Sequence, residues 1–320
     1  MSTLAHEGIL QGRERWPARP AAARSPPMSS FALLLVLAAA VCHASWNLIA
    51  KRQGGGSELV LISAMLVSVV WAPLAFWQGW RTLPDLGHVE WAALLASTVL
   101  HLVYFRCLLH GYQVSDLTVV YPVARGSGPL LSTAGAVLVL GERLSLAGAL
   151  GALMVVGGVF LIAGGPALWR QAHEPARRER TLRGLRWGAL TGACIAGYTL
   201  LDGYSVKVLM ISPIMLDYIA NVLRIPMMLP VALRNPAAFR AAWRQQWKAG
   251  LAVAVLSPAS YVMVLYAMRI APLSHVAPAR ELSMLFAALA GGTLLGEGDR
   301  LLRLLGAAFI ALGVLGLALG

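Results

Sequence analysis

Apolar runs of about 19 to 24 residues follow one another along most of the chain, and at about 1.5 Å of rise per residue each can cross a hydrocarbon core of about 30 Å as a helix. The pattern predicts ten spans, at residues 30–49, 59–77, 91–110, 117–140, 146–164, 187–206, 211–233, 250–268, 273–295 and 301–320. Most connectors are short, so consecutive helices are antiparallel neighbours. The long connector, 165–186, is rich in arginine and divides the spans into two sets of five. Residues 1–28 are rich in Arg, Pro and Ala without an apolar period and read as a disordered tail, with Met28 a second candidate start. The first apolar run leads into His43, Trp46 and Asn47 with no clear small-residue cleavage site, which favours a retained helix over a signal peptide. The expected organisation is a tail (1–28), a five-helix unit (29–164), a basic linker (165–186) and a second five-helix unit (187–320).

Composition sharpens this picture. The chain is 58% hydrophobic and 12% charged, whereas about a quarter of the residues of a soluble protein are charged. A water-soluble globule could not cover itself with so few polar side chains, so the expected class is an all-α polytopic membrane protein. The net charge of +12 sits mostly in the tail and connectors and leaves no basic domain for nucleic acid. Cys42, Cys107 and Cys194 lie inside apolar runs with no paired spacing, so neither a disulfide framework nor a metal site is expected. Gly54-Gly55-Gly56 passes directly to Ser57 without the lysine of a phosphate loop, and no Rossmann or nucleophile-elbow pattern occurs. No cofactor is expected.

The two halves repeat. A shift of 155 places Ala124-Arg125 on Ala279-Arg280, Leu140-Gly141-Glu142 on Leu295-Gly296-Glu297, Gly151-Ala152 on Gly306-Ala307, and Gly158-Val159 on Gly313-Val314, without a gap. Small and apolar matches are cheap in membrane sequences; the Ala-Arg and Leu-Gly-Glu matches are not. An odd number of spans per unit sends the second unit into the bilayer from the opposite side, so the repeats are expected to be inverted. Inverted repeats around a midplane site are a recurring construction of secondary transporters, because two packings that exchange roles have similar energies.

The ten spans, the two five-helix halves, the HASWN run at His43 to Asn47 and the Gly-Glu turns at 141–142 and 296–297 together resemble the drug/metabolite transporter superfamily, specifically its EamA-type permeases, over residues 30 to 320. The resemblance implies a 5+5 inverted-repeat fold, with a central cavity lined by the first four helices of each half and the fifth helices at the periphery. It implies a multi-pass protein of the bacterial inner membrane with both termini in the cytoplasm. The basic residues argue the other way, with about eight on the side of the termini and about fourteen opposite. Members export or import amino acids, metabolites, nucleotide sugars or toxic compounds, so the resemblance names a class of activity and no substrate.

Ionisable side chains in hydrocarbon are costly and usually face a cavity or a partner. Spans 3, 4, 6, 7 and 9 hold Arg106, Arg125, Asp202, Asp217, Arg224, Arg280 and Glu281, while the middles of spans 2, 5 and 8 hold none. Arg125 and Arg280 occupy equivalent positions of the repeats, beside Pro122 and Pro278. Arg125 shares a face with Tyr121 and Thr118. A guanidinium fork suits a carboxylate or phosphate, and the alternative is a structural clamp on Asp202, Asp217 or Glu281. Asp217, Asn221 and Arg224 form one helical stripe, read either as substrate or proton contacts or as a permanent network. His43 and Asn47 share a face beside Trp46. His43 and His101 are candidates to carry protons or to make plain helix–helix hydrogen bonds. Asp202, Asp217, Glu281 and His101 are the ion-coupling candidates. Four embedded cations against three anions leave one positive charge to neutralise, which an anionic or zwitterionic substrate would do. The Gly184, Gly188, Gly192 stripe and the pair Gly292, Gly296 suit close helix packing.

The expected function is a secondary active transporter of a small polar metabolite working by alternating access, with Arg125, Arg280, Tyr121, His43, Trp46, Asn47 and Asn221 at the substrate. Its expected partners are that substrate, a coupling proton, the bilayer and, as an assembly, a second copy of the chain. The alternatives are a membrane enzyme acting on lipid or headgroups, with His43 or His101 as base, and a non-transporting accessory protein. A cavity bounded by both halves would favour transport.

Overall fold

The computed structural model describes residues 28–53, 56–79, 83–162, 175–286 and 300–319. Every regular element among them is helical: α1 (Ser30–Arg52), α2 (Ser57–Val70), α3 (Ala72–Gly79), a 3-10 turn (Leu83–Asp85), α4 (His88–Val114), α5 (Leu117–Leu138), α6 (Leu146–Ile162), α7 (Pro175–Lys207), α8 (Pro213–Arg234), α9 (Pro236–Ile270), α10 (Leu273–Ala279) and α11 (Arg300–Leu319). Helix starts follow local chemistry. The Ser29 hydroxyl accepts from the Ala32 amide at 3.2 Å to open α1, and Asn235 accepts from Ala238 at 3.0 Å to open α9, with Pro236 in the first turn where its missing N–H costs nothing.

The outside of the bundle is apolar. Trp77, Leu146, Val69, Leu34 and Leu319 are all more than 60% exposed, a surface suited to acyl chains, and backbone groups satisfied within helices are what a bilayer demands. α1, α4, α8 and α9 are each long and apolar enough to span, and α2 with α3 passes the same test as one span bent by 55°. The protein is an integral, multi-pass membrane protein.

Four elements depart from the apolar pattern. The second expected span breaks at Trp71, where Pro73 cannot donate to the preceding turn. The basic connector is helical from Pro175 and runs unbroken into the sixth span, because its arginines favour a helix once one end is anchored. α9 begins at Pro236, well before the apolar run at 250, for the same reason. The ninth expected span stops at Ala279, turns through Arg280 and Glu281, and resumes as helix over 282–286. Pro278 withdraws the donor that the Ser274 carbonyl would have used, and the Thr133 hydroxyl of α5 donates to that carbonyl instead, at 3.3 Å. Pro258 likewise frees the Ala254 carbonyl, which accepts the Trp71 indole N–H at 2.9 Å. In both cases the freed group is satisfied by the other half of the chain. The second Gly-Glu turn, Gly296-Glu297, and Gly292 lie outside the described residues.

The halves interlock by exchange. α1 packs on α9 while α4 packs on α7, α2 packs on α8, and α6 packs on α11. Swapping the halves maps the first span on the eighth to the sixth on the third, and maps the second on seventh and fifth on tenth onto themselves. The α6–α11 crossing carries the relation to single residues: a Cβ on Gly151 would lie 2.6 Å from the Gly313 carbonyl oxygen, and one on Gly158 would lie 2.5 Å from that of Gly306. Residue number rises along one helix as it falls along the other, so the equivalent helices run antiparallel. Only glycine permits this backbone-to-backbone approach. Gly188 is held a little less closely against the Val120 carbonyl of α5, 2.9 Å from a Cβ placed on it.

Candidate functional site

The break after α10 and the middle of α5 face each other across the bundle and set the chemistry of its centre. Because the helix ends at Ala279, Arg280 and Glu281 occupy a turn, with the Glu281 amide bonded back to Pro278 at 2.9 Å and the Met284 amide to Glu281 at 2.8 Å. Glu281 is 1% exposed. Its carboxylate pairs with Arg125 of the opposite half at 3.0 Å and lies 3.6 Å from the Nε of Arg280. Arg280 donates to the Thr199 hydroxyl at 3.2 Å and lies over the Tyr198 ring, 5.9 Å from its centroid. Of the carboxylates expected as clamp partners, Glu281 is the one that meets both arginines. One carboxylate serves two guanidinium groups, and Arg125 Nε and Arg280 Nη2 have no hydrogen-bond partner.

These groups line a cavity of about 450 Å³, its open mouth included, together with Ala39, Ala40 and His43 of α1, Tyr198 of α7, and Ser260, Tyr261 and Val264 of α9. Both halves bound it. A second polar layer lies behind. Asp202, fully buried, accepts from the Tyr261 hydroxyl and lies 4.0 Å from His101 Nε2. His101 stacks on Tyr198 with centroids 4.0 Å apart.

Of the other expected site residues, Tyr121 is turned to the Met284 sulfur, to which its hydroxyl donates at 3.0 Å, and does not line the cavity. Trp46 packs edge-on to His43 at 5.0 Å, so it touches the site only through that ring. Asn47 is exposed, and its amide folds back onto the His43 carbonyl at 2.8 Å, which removes it from the lining. Asp217, Asn221 and Arg224 form a ladder within α8: Asn221 donates to Asp217 at 3.1 Å and Arg224 to Asn221 at 3.0 Å. The stripe is real, but its hydrogen bonds are spent along its own helix. Arg106 is exposed and lies apart from these groups, and the cavity lining sets two arginines against the one carboxylate of Glu281. The Thr118 side chain lies outside the described residues.

Sequence reading missed a second cross-half contact. Gly141 adopts φ +69°, a left-handed conformation that glycine accepts without strain, and turns Glu142 toward the other half. There the carboxylate accepts from the amides of Leu273 and Ser274, each at 2.8 Å, and pairs with Lys207 at 3.0 Å. Burial opposes ionisation of Glu142, but Lys207 and the two amides outweigh it and hold its pKa below the ordinary carboxylate value. The Leu-Gly-Glu repeat was the available signal, and Lys207 falls on Arg52 under the same shift of 155. His275, fully buried on α10, carried no such signal.

The sequence profile of the EamA-like transporter family matches residues 30–164 and 182–319, one match per half. Among solved structures, one crystal structure is similar with a TM-score of 0.68 and 15% identity, covering 90% of this chain and 97% of the other, which establishes a shared fold. No curated protein matches the sequence.

Proposed function

Starting from a chain that belongs to the EamA-like transporter family, we propose that it carries a small anionic or zwitterionic metabolite across the inner membrane of a bacterium by alternating access, as ten spans in two inverted repeats. The observation that carries this reading is the cavity bounded by both halves, in which Arg125 and Arg280 share the single carboxylate of Glu281. A guanidinium that lines a low-dielectric cavity with donors not spent on protein attracts a carboxylate or phosphate that fits its fork. Glu281 pairs with both arginines, and an arriving substrate competes with it for them. The antiparallel crossing of α6 on α11 and the exchanged pairing of α1–α9 and α4–α7 support inversion, since equivalent helices that run in opposite senses cross the bilayer in opposite senses. Closing one mouth with one half and the other mouth with its twin costs similar free energy, which is what alternating access requires. A helical bundle rather than a barrel suits an inner membrane.

The test is flux and binding in reconstituted vesicles. A thermal-shift panel of amino acids, phosphonates, nucleotides and organic cations should find stabilisation by anions or zwitterions. Arg125→Ala should abolish flux of the stabilising compound while leaving the protein folded. Losing a charge-assisted contact of about 1.5–3 kcal/mol corresponds to a roughly 10- to 100-fold weaker affinity. Stabilisation by cations alone, or normal flux in Arg125→Ala, refutes the assignment.

A further inference from the structure

Asp202 is a buried carboxylate to which none of the described residues brings a lysine or arginine within ion-pair distance. Its one ion-pair partner is His101, 4.0 Å away. One oxygen accepts from the Tyr261 hydroxyl, and the Ser97 hydroxyl is the other polar group beside the carboxylate. The histidine is fixed in kind as well as in place. Its Nδ1 lies 2.9 Å from the Ser97 carbonyl oxygen, which can only accept, so Nδ1 carries the hydrogen and Nε2, the nitrogen facing Asp202, is the position that gains or loses a proton. A lone anion here would be uncompensated, and two protons would leave an uncompensated imidazolium. One proton shared by the pair is the neutral arrangement.

We propose that Asp202 and His101 together form a binding site for one exchangeable proton, reached from the cavity through the Tyr261 hydroxyl. Tyr261 lines the cavity and bonds Asp202, so it touches both compartments. The groups facing the pair come from the packed elements: Tyr198 from α7 itself, and Asp217 and Arg224 from α8. Arg280 approaches from the turn after α10 and Tyr261 from α9, while Lys207 at the far end of α7 is paired with Glu142. Arg280 is held by Thr199, one turn before Asp202 on the same helix. What the proton is used for rests on the transport reading: an anion on Arg280 cancels positive potential at the pair and favours its protonation, so proton and anion bind cooperatively, each strengthening the other.

The proton can be counted without a substrate. Purified protein in vesicles of phosphatidylethanolamine and phosphatidylglycerol is titrated between about pH 4 and 9, spanning carboxylate and imidazole ranges, by potentiometry and by infrared difference spectra of the carboxyl and imidazole bands. Wild type should bind one proton per chain that Asp202→Asn lacks and Asp217→Asn retains. His101→Gln should move the midpoint by about one pH unit or more, as loss of a partner at this distance requires. Identical titrations of wild type and Asp202→Asn overturn the site, and an unmoved midpoint in His101→Gln overturns the pair. Should Asp202→Asn not fold, Tyr261→Phe decides, since removing the hydroxyl must move the midpoint and an unmoved one overturns the proposal. A wild type that binds the proton but moves none of the anions refutes transport and leaves the proton site standing; flux with no such proton does the reverse.

Discussion

Replacing Glu142 by glutamine tests whether the halves are latched by the Gly-Glu turn. The carboxylate accepts two amides of the other half at 2.8 Å each and the Lys207 ammonium at 3.0 Å. Glutamine keeps one oxygen, so one amide survives as a neutral bond, the other meets an NH₂ group that cannot accept, and the ion pair is gone. A hydrogen bond to a charged group contributes about 1.5–3 kcal/mol and a partly exposed pair about 1 kcal/mol or less, so Glu142→Gln should lose about 2–4 kcal/mol, read by unfolding in mixed micelles. The pH dependence has a definite sign. The folded pKa of Glu142 is depressed, so its contribution is fully present above the ordinary carboxylate pKa and is lost as pH falls through the folded value. Wild type should therefore lose more stability than Glu142→Gln on acidification, and the two should converge. Equal stability at neutral pH, or parallel acid losses in the two proteins, refutes the latch.

The remaining predictions concern the crossing, the cavity and its rim. Gly158→Leu forces a side chain into the 2.5 Å space against the Gly306 carbonyl and should destabilise by about 1–3 kcal/mol or separate α6 from α11; a melt unchanged from wild type would sink the backbone contact. Glu281→Gln leaves Arg125 and Arg280 without a counter-charge, at a cost of about 3–5 kcal/mol. Its stability should recover as phosphate is added, measured by melts with and without it, and indifference to phosphate would count against an anion-receptive cavity. Asn47→Ala should change stability by less than about 0.5 kcal/mol and leave flux intact; a flux defect would return Asn47 to the site.

Hydrophobic period and span length sufficed to establish that the chain is helical and lives in a bilayer, because a run of twenty apolar residues has few other ways to satisfy its backbone. The repeat was equally legible: Arg125 and Arg280, and Glu142 and Glu297, are expensive residues at matching positions, and chance does not supply them cheaply. Which of the embedded polar side chains share a space was not legible, since helical periodicity reports a face and never what lies opposite. For Asp217, Asn221 and Arg224 the pattern left substrate or proton contacts and a permanent interhelical network equally open, and in the structure they bond to one another along α8. Tyr261 and Thr199, unremarkable in their spans, reach Asp202 and Arg280 only because α7 and α9 and the turn after α10 converge. The break at Arg280-Glu281 was likewise a tertiary outcome: Pro278 makes it permissible, but a kinked continuous helix would have satisfied the sequence. The Thr133 hydroxyl from the other half, taking up the Ser274 carbonyl, is what lets the helix stop there and puts one carboxylate between two arginines.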